Sequence, residues 1–248
     1  MNVTSPWYHL GYIVPHPFDD LIAYQFYRVA PDGMVMVSTG LRLRAYSAEA
    51  VEDELKNVTE RLDILSKRGV DRIAVAGVPL AARLGRDRML QVLEDARSRT
   101  GIVCDTDMEA IISGMHNLGI KKIVIASRWS DNLINAVTEY LSGAGIEIIS
   151  CLALGRTMAQ NQAPNASQDH ASALDMGNRL LTENPAAQAL LIPGGRWFSI
   201  YAAAMLEEKF NKPVFMNITS SIWAALHADK SRIQVTPDSR WCRLFADI

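Results

Sequence analysis

Three polar side chains suited to chemistry each follow a short apolar run: His16, Arg196 and Asn217. Histidine titrates near neutral pH and can carry a proton. Arginine can hold a carboxylate through two parallel hydrogen bonds. We therefore expect His16 and Arg196 to be catalytic residues, and Asn217 to bind the substrate. Structural roles remain open: a turn for His16 and Asn217, and the first turn of a surface helix for Arg196.

Two glycine turns follow further apolar runs, at 72–76 and 189–192. Glycine lets a ligand approach main-chain N–H groups closely, and ligands of parallel sheets bind beyond the carboxyl ends of the strands. The residues expected to bind substrate at such strand ends are Pro15, Gly77, Val78, Pro193, Gly194 and Gly195. The alternative is that glycine serves only the geometry of a strand-to-helix turn.

Strand and helix patterns alternate along the chain. The predicted strands are 10–14, 34–38, 73–76, 102–104, 122–126, 147–151, 190–192 and 214–216. The predicted helices are 47–69, 83–99, 106–117, 131–141, 168–182, 200–210 and 220–226. This alternation predicts an α/β fold with parallel sheets. Because the two halves are similar, we expect two Rossmann-like lobes, 1–118 and 119–248, with a ligand cleft between them and a C-terminal tail that returns to the first lobe.

Composition excludes several classes of protein. The chain has 248 residues, a net charge of −2 and no dense run of Lys or Arg, which argues against a nucleic-acid partner. The sequence shows neither a signal peptide nor a membrane-spanning run, so we expect a cytoplasmic protein with no membrane partner. The His and Cys spacing predicts no metal site, and we expect no cofactor. The long polar connection at 155–167 favours a lid or a subunit contact, and with it a homo-oligomer.

Several motifs in order resemble a known superfamily. They are the strand that ends in Gly77, the segment from Gly119 to Asp131, the Leu-Leu-Ile-Pro-Gly-Gly turn at 190–195 and the closing Arg-Leu-Phe at 243–245. Together they resemble the aspartate/glutamate racemase superfamily, and within it the branch of arylmalonate decarboxylase and maleate cis-trans isomerase. The resemblance covers nearly the whole chain and implies two α/β lobes around a central cleft.

The resemblance also implies a change in chemistry. Racemases and isomerases of the superfamily use two cysteines that face each other across the substrate. Here Gly77 or Val78 stands at the first position and Pro193 at the second, so both thiols are absent. Val78 and Pro79 also lack the hydroxyls that bind a substrate oxygen in the family, and Pro79 has no N–H. We expect this half of the anion site to be weakened.

The cysteines that the chain does contain are expected to be buried and structural. Cys104 ends a predicted strand and is expected to be the nearest of the three to the crevice. The other two are Cys151, at another strand end, and Cys242, in the C-terminal tail.

Two further segments are candidates for substrate binding. Ser127-Arg128-Trp129 stands where the superfamily has Thr-x-Tyr, so the resemblance implies binding by Ser127 and by the N–H and ring of Trp129; a core tryptophan is the alternative. Thr106 lies in an acidic cluster, 105–109, at a strand-to-helix junction. Carboxylates are favoured in a first helical turn, but a buried one would have a raised pKa and could act as an acid or base.

These observations favour a cofactor-independent enzyme that acts on a small carboxylate or dicarboxylate. Decarboxylation depends least on two thiols, because an apolar pocket can destabilise one carboxylate while hydrogen-bond donors hold the other. We therefore expect a lyase before an isomerase. The alternative is a cysteine-free relative that binds a small acid, or catalyses an isomerase, racemase or hydrolytic reaction, in the same cleft.

Overall fold

The computed structural model describes residues 5–163 and 165–248, along which strands and helices alternate. The strands are β1 (Tyr8–Val14), β2 (Met34–Gly40), β3 (Arg72–Val75), β4 (Cys104–Thr106), β5 (Lys122–Ser127), β6 (Glu147–Ala153), β7 (Ala189–Leu191) and β8 (Val214–Phe215). The helices are α1 (Asp20–Val29), α2 (Ala48–Arg68), α3 (Val78–Leu84), α4 (Arg86–Thr100), α5 (Asp107–Asn117), α6 (Asp131–Ser142), α7 (Met158–Gln162), α8 (Ala166–Glu183), α9 (Ile200–Phe210) and α10 (Asn217–Ala228). No helix in the described ranges is both long and apolar enough to cross a lipid bilayer.

Over the residues that the structure describes, each half of the chain contains one four-stranded sheet in which every pairing is parallel. The strand orders are β2-β1-β3-β4 and β6-β5-β7-β8. Counted within each half, these orders are the same. The prediction of an α/β fold with two similar lobes and parallel sheets is confirmed.

Local sequence explains the best-predicted helix, α2. The Ser47 hydroxyl accepts a hydrogen bond from the N–H of Ala50 at 3.2 Å, which caps the first turn. Gly69 ends the helix at a φ of +74°, a left-handed conformation that favours glycine. Both ends agree with the prediction because capping residues act within a few positions of themselves.

Several short elements differ from the prediction. The strand predicted at 102–104 is wrong: β4 begins at Cys104, which pairs with Ile73, and ends at Thr106. An ion pair of 3.0 Å between Arg72 and Asp105 stabilises this polar strand beside β3. The last helix, α10, begins at Asn217 instead of near 220, and the helices α1, α3 and α7 were not predicted. Tertiary contacts outweigh local apolar patterning in segments this short.

The two halves share an extensive interface. Helices α5 and α10, which follow the fourth strand of each half, pack against each other. The side chain of Gln25 in α1 bridges to the second half, because it donates to the carbonyl of Gly195 at 2.8 Å and accepts from the N–H of Ser199 at 3.1 Å. The boundary at 118/119 falls between α5 and β5. The division into lobes 1–118 and 119–248 stays a prediction.

The C-terminal tail contacts both halves. Leu244 lies against Gly114 in α5, where it leaves no room for a larger side chain. The N–H of Arg243 donates to the carboxylate of Glu207 in α9 at 2.8 Å, and the N–H of Val214 in β8 donates to the same carboxylate at 2.7 Å. One buried side chain therefore holds both the tail and the edge strand β8.

We expect Glu207→Ala to lower the free energy of unfolding by about 2–4 kcal/mol, because two N–H groups would lose their acceptor. Burial raises the pKa of Glu207 to about 7, so denaturant unfolding should be followed above about pH 8, where the carboxylate is ionised. Glu208→Ala, at the exposed neighbouring position, is the control and should change stability by less than about 0.5 kcal/mol. Equal effects of the two substitutions would contradict this role.

Candidate active site

The carboxyl ends of β1, β3, β5, β7 and β8 surround a small cavity between the halves. Its volume is about 40 Å³. Two larger grooves, of about 450 and 780 Å³, lie elsewhere on the surface and contain none of the predicted site residues. The cavity is lined by Tyr12, Pro15, His16, Ile22, Tyr46, Ala76, Gly77, Val78, Pro79, Asp107, Arg128, Trp129, Asn161, Gly194, Gly195, Arg196 and Asn217.

Most of the predicted site residues meet in this cavity. Those on its wall are Pro15, His16, Gly77, Val78, Trp129, Gly194, Gly195, Arg196 and Asn217.

Three predicted residues, Thr106, Ser127 and Pro193, are not among those that line the cavity. The hydroxyl of Thr106 caps α5 by accepting from the N–H of Glu109 at 3.0 Å. The hydroxyl of Ser127 accepts from the N–H of Trp129 at 3.0 Å. Both hydroxyls are therefore used in local structure.

Asp107, the first residue of α5, lies at the centre of the site. Its Oδ1 accepts from the hydroxyls of Tyr12 at 2.7 Å and Ser221 at 3.0 Å. Its Oδ2 accepts from the N–H of Gly77 at 3.0 Å and from Nδ2 of Asn217 at 2.6 Å. Burial raises the pKa of Asp107, and these four donors oppose the rise and favour the ionised form. The acidic cluster thus contains one buried carboxylate, as the sequence allowed.

The two glycine turns have matching geometries. Gly77 follows β3 at a φ of +107°, and Gly194 follows β7 at a φ of +118°. The N–H of Gly194 donates to Oδ1 of Asn217 at 2.8 Å, as that of Gly77 donates to Asp107. The glycine N–H groups are therefore already used. The described hydrogen bonds include none from the N–H groups of Val78 and Gly195, the next residues along each turn.

Arg196 brings a buried positive charge to the cavity. Its side chain is 6% exposed, and its guanidinium lies 4.9 Å from the ring centroid of Phe18. Nη1 lies 2.9 Å from Oδ1 of Asp20, outside hydrogen-bond geometry, and Nη2 donates to the carbonyl of Gln162 at 3.4 Å. Within the described residues, Nε and Nη1 are buried without a hydrogen-bond acceptor. These N–H groups are suited to an anion.

Arg128 is a second buried arginine, and sequence reasoning did not select it. Its Nη1 donates to Oδ2 of Asp169 at 3.2 Å, and Arg156 shares that carboxylate at 3.0 Å. The Nε atom of Arg128 has no acceptor among the described residues. Burial lowers the pKa of Arg128 to about 10, so the side chain stays charged at neutral pH. Its position directly after β5 was the available sequence signal.

His16 differs from the expected proton carrier. Burial, and then the charge of Arg196, lower the pKa of His16 to about 4. Nδ1 of the imidazole lies 3.2 Å from Nε2 of Gln162 in α7. An Nδ1 that accepts from this amide leaves the proton on Nε2. The expectation of titration near neutrality is replaced by a neutral imidazole that can donate one hydrogen bond.

No cysteine is among the residues that line the cavity. Cys104 begins β4, at the opposite end of the strand from the cavity. That it is the nearest of the three cysteines to the crevice stays a prediction. Burial raises the pKa of Cys104 and of Cys151 to about 11, and raises that of Cys242 as well. These thiols are protonated at neutral pH. In the part of the chain that the structure describes, His, Cys, Asp and Glu form no group that could hold a metal ion.

A family model described as arylmalonate decarboxylase matches residues 10–240, which is most of the chain. The chain belongs to the arylmalonate decarboxylase family. Arylmalonate decarboxylase from Bordetella bronchiseptica is 23% identical to this family member over 217 residues, 88% of each protein. The resemblance predicted from the sequence is confirmed.

Solved structures show the same fold at low identity. A liganded double mutant of arylmalonate decarboxylase has a TM-score of 0.85 at 20% identity and covers 97% of this chain and 100% of its own. A maleate isomerase mutant from Pseudomonas putida S16, solved with maleate, has a TM-score of 0.82 at 21% identity, with coverages of 96% and 97%. A Nocardia farcinica maleate cis-trans isomerase mutant with a covalently bound succinylcysteine intermediate has a TM-score of 0.79 at 17% identity, with coverages of 97% and 99%.

The lowered pKa of His16 predicts how the stability of this family member depends on pH. The folded pKa of about 4 lies below the unfolded pKa of about 6.5, so the unfolded state binds the proton first as the pH falls. The stabilising contribution is complete above about pH 6.5 and is lost towards pH 4, by up to about 3 kcal/mol.

Urea unfolding of the wild type and His16→Gln across this pH range measures the contribution as the difference between the two curves. His116→Gln, at an exposed histidine, is the control and should follow the wild type. An NMR titration in which the His16 ring changes charge near pH 6.5 would contradict the prediction.

Proposed function

We propose that the chain is a cofactor-independent enzyme that acts on a small carboxylate or dicarboxylate, by decarboxylation or by carbanion-type proton transfer without a cysteine pair. The observation that carries the proposal is the pair of buried guanidinium groups, Arg128 and Arg196, on the wall of the cavity, each with an Nε–H that lacks an acceptor among the described residues. Membership of the arylmalonate decarboxylase family supports a reaction at the carbon next to a carboxylate.

Decarboxylation fits the donors around the cavity. One carboxylate of a malonate-type substrate lies against Arg196 and the N–H of Gly195 and is retained. The bond from the α-carbon to the other carboxylate breaks, carbon dioxide leaves, and the electron pair enters the retained carboxylate as an enediolate. Arg128 and Arg196 stabilise the negative charge that develops, because charges fixed in a dry site need no reorganisation.

Protonation of the α-carbon completes the reaction. His16 is neutral in this cavity, so it donates a hydrogen bond from Nε2 to the enediolate or to the incoming water. The proton that reaches carbon comes from this water, and the hydroxide that remains leaves to solvent. No cysteine is among the residues that line the cavity, so the thiols of this chain are not the proton donors in this proposal.

A carboxylate-binding protein is the second candidate function, and one observation favours it. Burial lowers the pKa of His16 and raises the pKa values of Tyr12 and Tyr46. None of these three pKa values is therefore shifted towards neutral pH, where a proton donor works best. Such a site holds an anion without an evident proton donor.

The cytoplasmic location and the homo-oligomeric state also stay predictions from the sequence.

We expect the wild type to release carbon dioxide from a small malonate, or to incorporate deuterium next to a carboxylate. The measurement is NMR in deuterated buffer with malonates, 2-substituted carboxylates and maleate. Arg196→Lys keeps the charge but loses the planar fork, and should lower kcat/KM by about 10- to 100-fold. Arg88→Lys, at an exposed arginine, is the matched control and should behave as the wild type.

The same panel separates the two candidate functions. Wild-type protein that is inert towards every substrate, yet gains thermal stability with malonate or maleate, would reject the enzyme and support the binding protein. A similar loss of activity in Arg196→Lys and Arg88→Lys would remove Arg196 from the proposed site.

A further inference from the structure

The polar centre of the cavity repeats the same arrangement in both halves. Asp107 begins α5, directly after β4, and Asn217 begins α10, which follows β8. Gly77 follows β3 and Gly194 follows β7. Asp107 and Asn217 therefore occupy equivalent places in the two lobes, as do the two glycines.

Hydrogen bonds connect these four residues in series. Each glycine N–H donates to the residue that begins the last α-helix of its own half: that of Gly77 to Asp107 of α5 at 3.0 Å, and that of Gly194 to Asn217 of α10 at 2.8 Å. A third hydrogen bond joins the two lobes: Nδ2 of Asn217 donates to Oδ2 of Asp107 at 2.6 Å. Asp107 and Asn217 are 1% and 2% exposed, so water does not compete for these bonds.

We propose that Asp107 and Asn217 form a polar clasp that sets the separation and orientation of the two glycine turns, and so positions the substrate between them. The inference rests on the proposed function and assigns these two side chains a positioning role. The N–H groups of Val78 and Gly195 follow the two glycines directly, so a shift of either turn moves the main-chain donors on that side of the cavity.

The residue types match the number of donors and acceptors. Each glycine N–H needs an acceptor, and the hydrogen bond that joins the two lobes needs one donor. Asn217 supplies one acceptor and one donor, whereas Asp107 supplies acceptors only. Two ionised carboxylates at this distance would repel, since like charges this close cannot both stay ionised. An acid in one lobe and an amide in the other satisfy every bond.

Substitutions of Asn217 test the clasp. Asn217→Leu removes both of its bonds at every pH, and should lower kcat/KM by on the order of 100-fold, mainly through kcat, because a misplacement of about 1 Å costs about that much. Ser220→Ala is the matched control. It removes a buried hydroxyl of the same helix, one without a hydrogen-bond partner in the described ranges, and should leave kcat/KM within about twofold.

Asn217→Asp adds a test that a merely structural role would not pass. The introduced carboxyl, when protonated, can donate to Asp107 and still accept from the N–H of Gly194. The groups that face Asp107 are Tyr12 from β1, the N–H of Gly77 after β3, and Asn217 and Ser221 from α10; no charged side chain bonds to it among the described residues. The ratio of variant to wild-type kcat/KM should therefore rise at least tenfold between about pH 8 and pH 5.

Amide NMR gives a readout that does not depend on turnover. The N–H signals of Gly77 and Gly194 and the affinity for malonate should change in Asn217→Leu, and should return towards wild type at low pH in Asn217→Asp. If Asn217→Leu fails to fold, the Asn217→Asp measurements at the two pH values still test the clasp.

The outcomes distinguish the clasp from the proposed function. An inert wild type whose malonate affinity and glycine signals respond as expected overturns the enzyme and keeps the clasp at a binding site. An active wild type with Asn217→Leu within twofold of Ser220→Ala, or with a pH-independent ratio for Asn217→Asp, overturns the clasp.

Discussion

A carboxylate buried between the two lobes is the constraint on which the site depends. An ionised carboxylate without partners is very costly to bury. Among the described residues, no cation bonds to Asp107, and it is satisfied by four neutral donors from β1, the end of β3 and α10. Removal of any one of these elements would leave the charge short of a donor. The position of both lobes around the cavity is therefore coupled to one side chain.

The electrostatics of the cavity favour an anion even though hydroxyl groups are absent from the β3 turn. Arg128 shares the carboxylate of Asp169 with Arg156, and Arg196 faces an Asp20 side chain that is 55% exposed. Arg128 and Arg156 thus share the single charge of one buried carboxylate, and the charge of Arg196 is only partly neutralised by Asp20. Buried N–H groups without acceptors carry a desolvation cost that a bound carboxylate would remove.

This chain and its solved relatives share a fold but few identical residues. The solved relatives are about one-fifth identical to this chain, yet their TM-scores are close to 0.8. What this chain retains is a repeated strand order and a glycine turn at the third strand of each half. Activity belongs to the side chains that a particular sequence places at those strand ends. Here those side chains are arginines, a neutral histidine and an acid–amide pair.

Local physics explains what the sequence alone determined. Apolar runs that alternate with helical periodicity predicted the α/β class, and the two glycine turns that they bound, at Gly77 and Gly194, line one cavity. Capping by Ser47 and the left-handed Gly69 set the ends of α2 within one residue. Each of these signals acts over a few neighbouring positions, so the folded structure is not needed to find it.

Only the tertiary structure decided the bounds of β4 and α10 and the chemistry of the cavity. The bonds of Asp107 to Tyr12 and to Asn217 span 95 and 110 residues of sequence. The neutral state of His16 depends on burial and on Arg196, which is even more remote along the chain. Burial and long-range hydrogen bonding set the charge of these groups, and both arise only when distant segments pack together.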